Sequence, residues 1–153
     1  MGAWSDHDRE FMLAALAEAG KAQSRGEVPV GAVVVRDGLV IGKGHNSPVA
    51  DHDPSAHAEI NAMRAAASRI SNYRLSGCEL FVTLEPCAMC LGAMLHARID
   101  RLVFGAYDEK AGAAGSVLDL TTVRGPYPRI EVSGGLLAAE CGTLLQAFFA
   151  ARR

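Results

Sequence analysis

Two short motifs, each placed at a predicted helix start, constrain the fold of this chain most strongly. The first is His57-Ala58-Glu59, shortly after Asp53-Pro54, and the second is Pro86-Cys87-Ala88-Met89-Cys90. Aspartate suits an N-cap and proline suits the first helical position, so we predict one helix from Asp53-Pro54 to about Ile70 and another from Pro86. Cysteines three residues apart share one helical face, so one ion can bind both sulfurs.

The residue types in these motifs predict a catalytic zinc site. The free amides and the dipole at a helix N-terminus favour thiolate over thiol. Two thiolates and one imidazole suit Zn²⁺ and leave a fourth position for water, so we predict that His57, Cys87 and Cys90 bind the metal. The bound water then becomes a nucleophile near neutral pH. Glu59 is the candidate that takes the water proton and delivers it to the leaving group.

The spacing of His57 and Glu59 raises a geometric difficulty. Residues two apart on a helix point roughly 200° away from each other, because a turn contains 3.6 residues. The two side chains could not both face one ion from the middle of a helix. They can do so near the first turn, if the metal lies close to the helix axis beyond its end.

Other interpretations of the cysteines remain open from the residues alone. Cys-x-x-Cys also occurs as a redox pair or as two buried residues, and a structural zinc site could use Cys78, Cys141 or another histidine as a fourth ligand. We expect Cys78 and Cys141 to be small buried side chains. Together, the two motifs match the signature of zinc deaminases that act on nucleobases, which favours the catalytic interpretation.

The remaining pattern predicts an α/β protein. The chain has 153 residues, a length that fits one domain spanning 1–153. We predict the order helix, hairpin, helix, strand, helix, strand, loop, strand, helix, with Asp37-Gly38 as the hairpin turn. The strands are predicted at 30–36, 39–44, 79–84, 101–106 and 130–133. Strands that alternate with helices indicate a sheet covered on both faces, with the last three strands parallel or mixed in direction.

Net charge and hydropathy limit the binding partners and the cellular compartment that we expect for this protein. The net charge is −2, so no global field attracts nucleic acid, and a polyanionic partner must be held by a local patch. No apolar run approaches the roughly 20 residues that span a bilayer. The N-terminal residues lack the pattern of a secretory signal. We therefore expect a cytoplasmic protein with no membrane partner.

At these motifs the chain resembles the family of bacterial tRNA-specific adenosine deaminases, within the cytidine deaminase-like superfamily. The resemblance covers nearly the whole chain. Its residues lie at 27–33, 46, 53–59, 72–75, 82–90, 98–99 and 104–116. The zinc motif is shared across the superfamily, whereas the stretch 104–116 points to the tRNA enzymes.

The resemblance implies a three-layer α/β/α fold with a central five-stranded mixed sheet, assembled as a homodimer with one zinc ion per subunit. The implied reaction converts adenosine to inosine at the wobble position of a tRNA anticodon, and the partner is the anticodon stem-loop. In that reaction the activated water attacks C6 of adenine. Glu59 protonates N1 and later helps ammonia leave.

The resemblance also implies a set of substrate contacts. These residues are Asn46, Val30, the backbone of Ala58, Leu84 and Asp108, and the pattern of the last helix adds Phe149. Asn46 would hydrogen-bond the base or ribose, although a plain turn residue is the alternative. Asp108 would contact nucleotides beside the target, although capping of its own loop is the alternative. Phe149 would stack on a base, because only Phe148 continues the apolar stripe of the last helix.

Two competing functions remain. A small-molecule deaminase of guanine or cytosine is favoured by the lack of a basic excess and opposed by the stretch 104–116. A non-catalytic zinc subunit that binds RNA would have no need of Glu59. Tyr107 and Ala150-Ala151 stand where the family often has basic residues, which lowers the electrostatic attraction expected for RNA.

Overall fold

The computed structural model describes residues 4–123 and 125–152. Five helices, five strands and one 3-10 turn follow each other along this part of the chain. In order they are α1 (Asp6–Ser24), β1 (Gly31–Arg36), β2 (Leu39–His45), α2 (Pro48–Asp51), α3 (Ala58–Ile70), β3 (Cys78–Leu84), α4 (Ala88–Ala97), β4 (Arg101–Ala106), the 3-10 turn (Leu120–Thr122), β5 (Glu131–Gly134) and α5 (Ala138–Ala150). None of the helices in the described ranges has the length and apolarity needed to cross a bilayer.

The strands form one mixed sheet in the order β2-β1-β3-β4-β5. Strand β1 is antiparallel to β2 and β3, whereas β4 is parallel to both β3 and β5. Asp37 and Gly38 join β1 to β2 with φ angles of 51° and 75°, the left-handed pair that a type I′ turn requires. The predicted hairpin and the five-stranded mixed sheet are confirmed, and the last three strands, which were expected to be parallel or mixed in direction, are parallel.

Alternate residues of the strands point into two separate cores, as the pleat of a sheet requires. Val33 and Phe81 pack with α1 and α5 on one face. Val34 and Val82 pack with α3 and α4 on the other face. Helices therefore cover both faces, which confirms the expected three-layer α/β/α architecture.

Helix α1 begins with a capping box at Ser5 and Asp8. The Ser5 hydroxyl accepts a hydrogen bond from the Asp8 amide at 3.0 Å, and the Asp8 carboxylate accepts one from the Ser5 amide. The same carboxylate binds the Arg101 guanidinium on β4 at 2.9 Å. This ion pair lowers the pKa of Asp8 and fastens α1 to the sheet.

Glycines in β2 allow α3 to lie directly on the strand. A Cβ atom at Gly42 would come within 2.5 Å of the Ala62 carbonyl oxygen and 2.6 Å of the Ala66 amide nitrogen. At Gly44 it would come within 2.4 Å of the Ala62 amide nitrogen. The helix and the strand are in backbone contact, so the start of α3 is held close to the end of β2.

The predicted starts of α3 and α4 were wrong by a few residues. Helix α3 begins at Ala58 rather than at Asp53-Pro54, because the Asp53 carboxylate accepts hydrogen bonds from the Ser55 amide at 2.9 Å and hydroxyl at 2.7 Å and so closes a turn. Helix α4 begins at Ala88 rather than at Pro86, with Cys87 as its N-cap. Helix α2 and the 3-10 turn were not predicted.

Candidate active site

The later helix starts remove the geometric difficulty of the His57-Glu59 spacing. His57 is the N-cap of α3 with φ −76° and ψ 157°, an extended backbone conformation. Cys87 is the N-cap of α4 with φ −79° and ψ 174°. Neither side chain caps its own helix, so both are free to act as ligands. An N-cap side chain stands beyond the first turn, and Glu59 at the second helical position can therefore lie on the same side of the ion.

The three predicted ligands converge on one point. The Nδ1 atom of His57 lies 3.6 Å from the sulfur of Cys87 and 3.6 Å from the sulfur of Cys90. All three donor atoms lie within 4.8 Å of one another. Tetrahedral zinc, with Zn–N about 2.0–2.1 Å and Zn–S about 2.3 Å, separates nitrogen from sulfur by about 3.6 Å. The donor set therefore fits Zn²⁺.

No fourth protein ligand joins this cluster among the histidine, cysteine and acidic residues of the described ranges. Cys78 begins β3 and Cys87 follows its end, a separation of about 20 Å at 3.3 Å per residue. Cys141 belongs to the core on the opposite face of the sheet. Both cysteines are buried and free, as predicted, and neither can close a structural zinc site.

The two cysteines of the cluster are also free, and their mutual hydrogen bond shifts the pKa values of the two thiols in opposite directions. Hydrogen bonds from the Cys90 thiol and from His57 lower the pKa of Cys87 to about 3. The pKa of Cys90 is raised, because its thiol donates to Cys87 and is buried. The hydrogen bond with Cys87 raises the pKa of His57. Zinc would displace these protons on binding, so we expect its affinity for this site to fall as the pH falls.

Glu59 is almost completely buried beside the cluster, with 4% of its surface exposed. Burial raises the pKa of this carboxyl to about 7, although a hydrogen bond from Cys90 and the charge of His57 act to lower it. A carboxyl with a pKa near the working pH both accepts and donates a proton readily. The arrangement suits an acid-base group next to a metal-bound water.

Asn46 ties the end of β2 to the start of α3. Its side-chain oxygen accepts a hydrogen bond of 2.8 Å from the Ala58 amide, the first amide of that helix. The backbone amide of Asn46 donates a hydrogen bond to the Val30 carbonyl at 3.1 Å. Asn46, Ala58 and Val30 thus form one connected group, with Val30 and Ala58 buried. Contact of these residues with a substrate stays a prediction.

Leu84, Asp108 and Phe149, predicted separately as substrate contacts, line one cavity of about 580 Å³ between the end of β4 and α5. Tyr107 also lines it. Phe149 is 50% exposed, whereas Phe148 is only 5% exposed and belongs to the core. Phe149 is therefore the exposed ring of the two, as its position on the last helix predicts, and its stacking on a base stays a prediction.

The side chain of Asp108 caps its own loop. One carboxylate oxygen accepts hydrogen bonds from the Lys110 amide at 3.0 Å and the Ala111 amide at 3.1 Å. This is the alternative role that the sequence left open. A contact with nucleotides beside the target stays a prediction for the other oxygen.

Sequence reasoning missed two buried carboxylates that hold loops around the site. The Glu27 carboxylate accepts hydrogen bonds from the Val49 amide at 3.3 Å and the Ala50 amide at 2.8 Å, in helix α2. The Glu85 carboxylate accepts hydrogen bonds from the loop at 108–116. The available signal was an acidic residue inside an otherwise apolar motif, since burial of such a residue requires partners.

Residues 5–106 match the family described as the cytidine and deoxycytidylate deaminase zinc-binding region. That range contains the three predicted metal ligands and Glu59. The fold and the site therefore place the protein in the class of zinc-binding nucleobase deaminases.

Relatives define the family more narrowly. A tRNA-specific adenosine deaminase of Haemophilus influenzae is 50% identical over 150 residues, covering 97% of this chain and 87% of the relative. A structure from studies of A-to-I editing by tRNA:A34 deaminases at the wobble position of transfer RNA has a TM-score of 0.86 and 43% identity, covering 89% of this chain and 99% of that one. The guanine deaminase of Nitrosomonas europaea has a TM-score of 0.74 and 27% identity, covering 95% and 85%. The chain belongs to the family of tRNA-specific adenosine deaminases.

Replacement of one ligand should remove the metal. We expect Cys87→Ala to lose zinc and to melt at a lower temperature, because binding of the metal to its folded site contributes to folding stability. Cys78→Ala is the matched control, since it removes a buried free thiol outside the cluster and should keep one zinc ion per chain. Zinc content by mass spectrometry and the melting temperature check both variants. Full zinc occupancy in Cys87→Ala would contradict the assignment.

Proposed function

We propose that this protein hydrolyses adenosine to inosine at the wobble position of a tRNA anticodon. The observation that carries the proposal is a donor set with 3.6 Å separations that fits zinc, next to a buried carboxyl whose pKa is raised to about 7. The choice of substrate is supported by the greater likeness to the tRNA:A34 deaminase structure, at 43% identity, than to the guanine deaminase, at 27%.

His57, Cys87 and Cys90 are the residues that would hold the zinc ion. When bound, zinc lowers the pKa of a water molecule to about 7 and so provides a nucleophile at neutral pH. Glu59 accepts the proton that the water releases and delivers it to N1 of adenine. The water oxygen forms a bond to C6, and the proton of the resulting hydroxyl then passes through Glu59 to N6. The C6–N6 bond breaks, ammonia leaves, and the base becomes hypoxanthine with its proton on N1. Burial of Glu59 keeps this proton exchange away from bulk water.

The pocket residues orient the base in this proposal. The side-chain oxygen of Asn46 is held by the Ala58 amide, so its amide group has a fixed direction in which to meet the base or ribose. Val30 and Leu84 supply apolar walls. An anticodon loop suits the site because its bases are already unpaired, which lowers the energy needed to extrude one of them.

The proposed RNA contacts combine stacking with local charge. Phe149 is exposed on the rim of the cavity, and Lys110 lines the same cavity together with Asp108 and Glu109. The Arg152 guanidinium lies 3.5 Å from the ring centre of the neighbouring Phe148. Because acidic residues accompany the cations, stacking contributes as much to binding as charge does in this proposal. A tRNA substrate agrees with the expected cytoplasmic location.

We further propose that the protein is a homodimer, as the resemblance implies. An apolar groove runs between α3 and α4, lined by Met63 and Ala67 of one helix and Ala93 and Ala97 of the other, with Tyr73 at its edge. Apolar surface of this kind favours burial against another protein surface. The molar mass in solution, measured by light scattering, should be twice that of the chain, and a monomer at micromolar concentration would contradict the proposal.

The substrate is tested with an anticodon stem-loop that carries adenosine at the wobble position. We expect the zinc-loaded protein to form inosine at that position and none when the adenosine is moved by one nucleotide. Free guanine and cytosine are tested in parallel. Turnover of either base without reaction of the stem-loop would show a small-molecule deaminase instead.

The acid-base role is tested with Glu59→Ala. The variant should retain zinc, because Glu59 is not in the ligand cluster, and should lose turnover by about 10²–10⁴-fold or more. Glu140→Ala is the matched control, since Glu140 is also in the first turn of a helix but is exposed. Inosine formation and zinc content are measured together. Normal turnover in Glu59→Ala would remove the mechanism and leave a zinc protein of another kind.

A further inference from the structure

Glu85 is a buried carboxylate for which the proposed chemistry has no use. It follows the end of β3, two residues before the metal ligand Cys87, and is 2% exposed. One of its oxygens accepts a hydrogen bond from the Asp108 amide at 3.0 Å. The other accepts from the Ala114 amide at 3.0 Å and the Ser116 amide at 3.1 Å.

The loop at 108–116 is closely wrapped around this carboxylate. The Ser116 hydroxyl adds a further hydrogen bond to the oxygen that the Asp108 amide also contacts. At Gly112 a Cβ atom would come within 2.4 Å of the carboxyl carbon of Glu85 and 2.5 Å of the Asp108 carbonyl oxygen. No residue larger than glycine fits at 112 without movement of the loop. The loop therefore forms a close-fitting binding site for the Glu85 carboxylate.

This contact connects the two parts of the site. The Ala113 amide donates to the Pro86 carbonyl at 2.8 Å, next to the metal ligand Cys87. At its other end the loop carries Asp108 and Lys110, which line the cavity that Phe149 also lines. The position of the cavity wall relative to the metal centre thus depends on the hydrogen bonds to Glu85.

We propose that Glu85 is a positioning residue for the polynucleotide, which holds the loop at 108–116 in register with the metal centre. It touches neither the metal cluster nor the target base in this assignment, and it acts through the loop. The proposal rests on the function proposed above, because the loop is taken to contact RNA beside the target nucleotide. Loss of the carboxylate should weaken RNA binding while the chemical step stays nearly unchanged.

The first test follows the loop itself. In Glu85→Gln one acceptor oxygen becomes an NH₂ group that faces backbone donors, so part of the hydrogen-bond set must break. Hydrogen exchange of the amides of Asp108, Ala114 and Ser116 should become about tenfold faster or more, since their local opening becomes easier. Exchange in β1 should not change. Unchanged exchange in the loop would overturn the proposal.

The second test separates binding from chemistry by single-turnover deamination of the anticodon stem-loop, with enzyme in excess over a range of concentrations. The enzyme concentration for half-maximal rate should rise about tenfold in Glu85→Gln, and the rate at saturation should change less than twofold. Glu131→Gln is the matched control, because Glu131 is exposed on β5 and carries the same substitution. A fall in the saturated rate alone would show a catalytic rather than a positioning role, and unchanged values for both would also overturn the proposal.

Ser116→Ala tests the same contact independently, in case Glu85→Gln misfolds. It removes one donor from the exposed end of the same contact and should shift binding in the same direction by a smaller factor. The double variant should show less than the product of the two effects, as expected for residues in one hydrogen-bond network. Independent, fully multiplied effects would contradict the assignment. If the unmodified protein does not react with the stem-loop, the proposed function fails too, whereas failure of Glu85 alone leaves wild-type turnover intact.

Discussion

The convergence of two helix N-termini at one edge of the sheet is the constraint on which the site depends. An N-cap position normally holds a side chain that bonds the free amides of its own helix. Here His57 and Cys87 occupy the two N-caps without doing so, and their donor atoms meet each other at 3.6 Å instead. The dipoles of both helices then favour anionic sulfur at that point. The placement of the two helices therefore also sets the positions of the predicted metal ligands.

The rigidity of this arrangement comes from the layers beneath it. Glycines at 42 and 44 bring α3 into backbone contact with β2, so the helix cannot slide without clashing with the strand. Cys87 follows the central strand β3 after only two residues, which leaves the chain little freedom between strand and ligand. Short connections from packed elements fix the separation of the predicted ligands. A preformed donor set lowers the ordering cost of metal binding.

Much of this could be predicted from local sequence. The hairpin at Asp37-Gly38 and the predicted Cys87–Cys90 ligand pair each rest on residues close in the chain, where turn chemistry and helix spacing decide the structure. The starts of α3 and α4 could not be predicted in the same way. Asp53 satisfied the pattern of a helix cap but closes a turn with Ser55, and both outcomes use the same aspartate-to-amide hydrogen bond. Only the packing of α3 on β2 decides between them.

The partners of buried carboxylates were the other feature beyond sequence reasoning, because they are distant in the chain. Glu85 meets amides more than 20 residues later, and Glu27 meets helix α2 across the hairpin. A buried carboxylate with no partner is costly, so each one requires backbone amides that close around it.

The site is divided between two parts of the fold. The metal centre is carried by strand ends and helix starts, whereas the surface proposed for RNA is carried by a loop and the last helix. We therefore expect changes in that loop to alter which substrate is bound while the carboxyl of Glu59 stays in place.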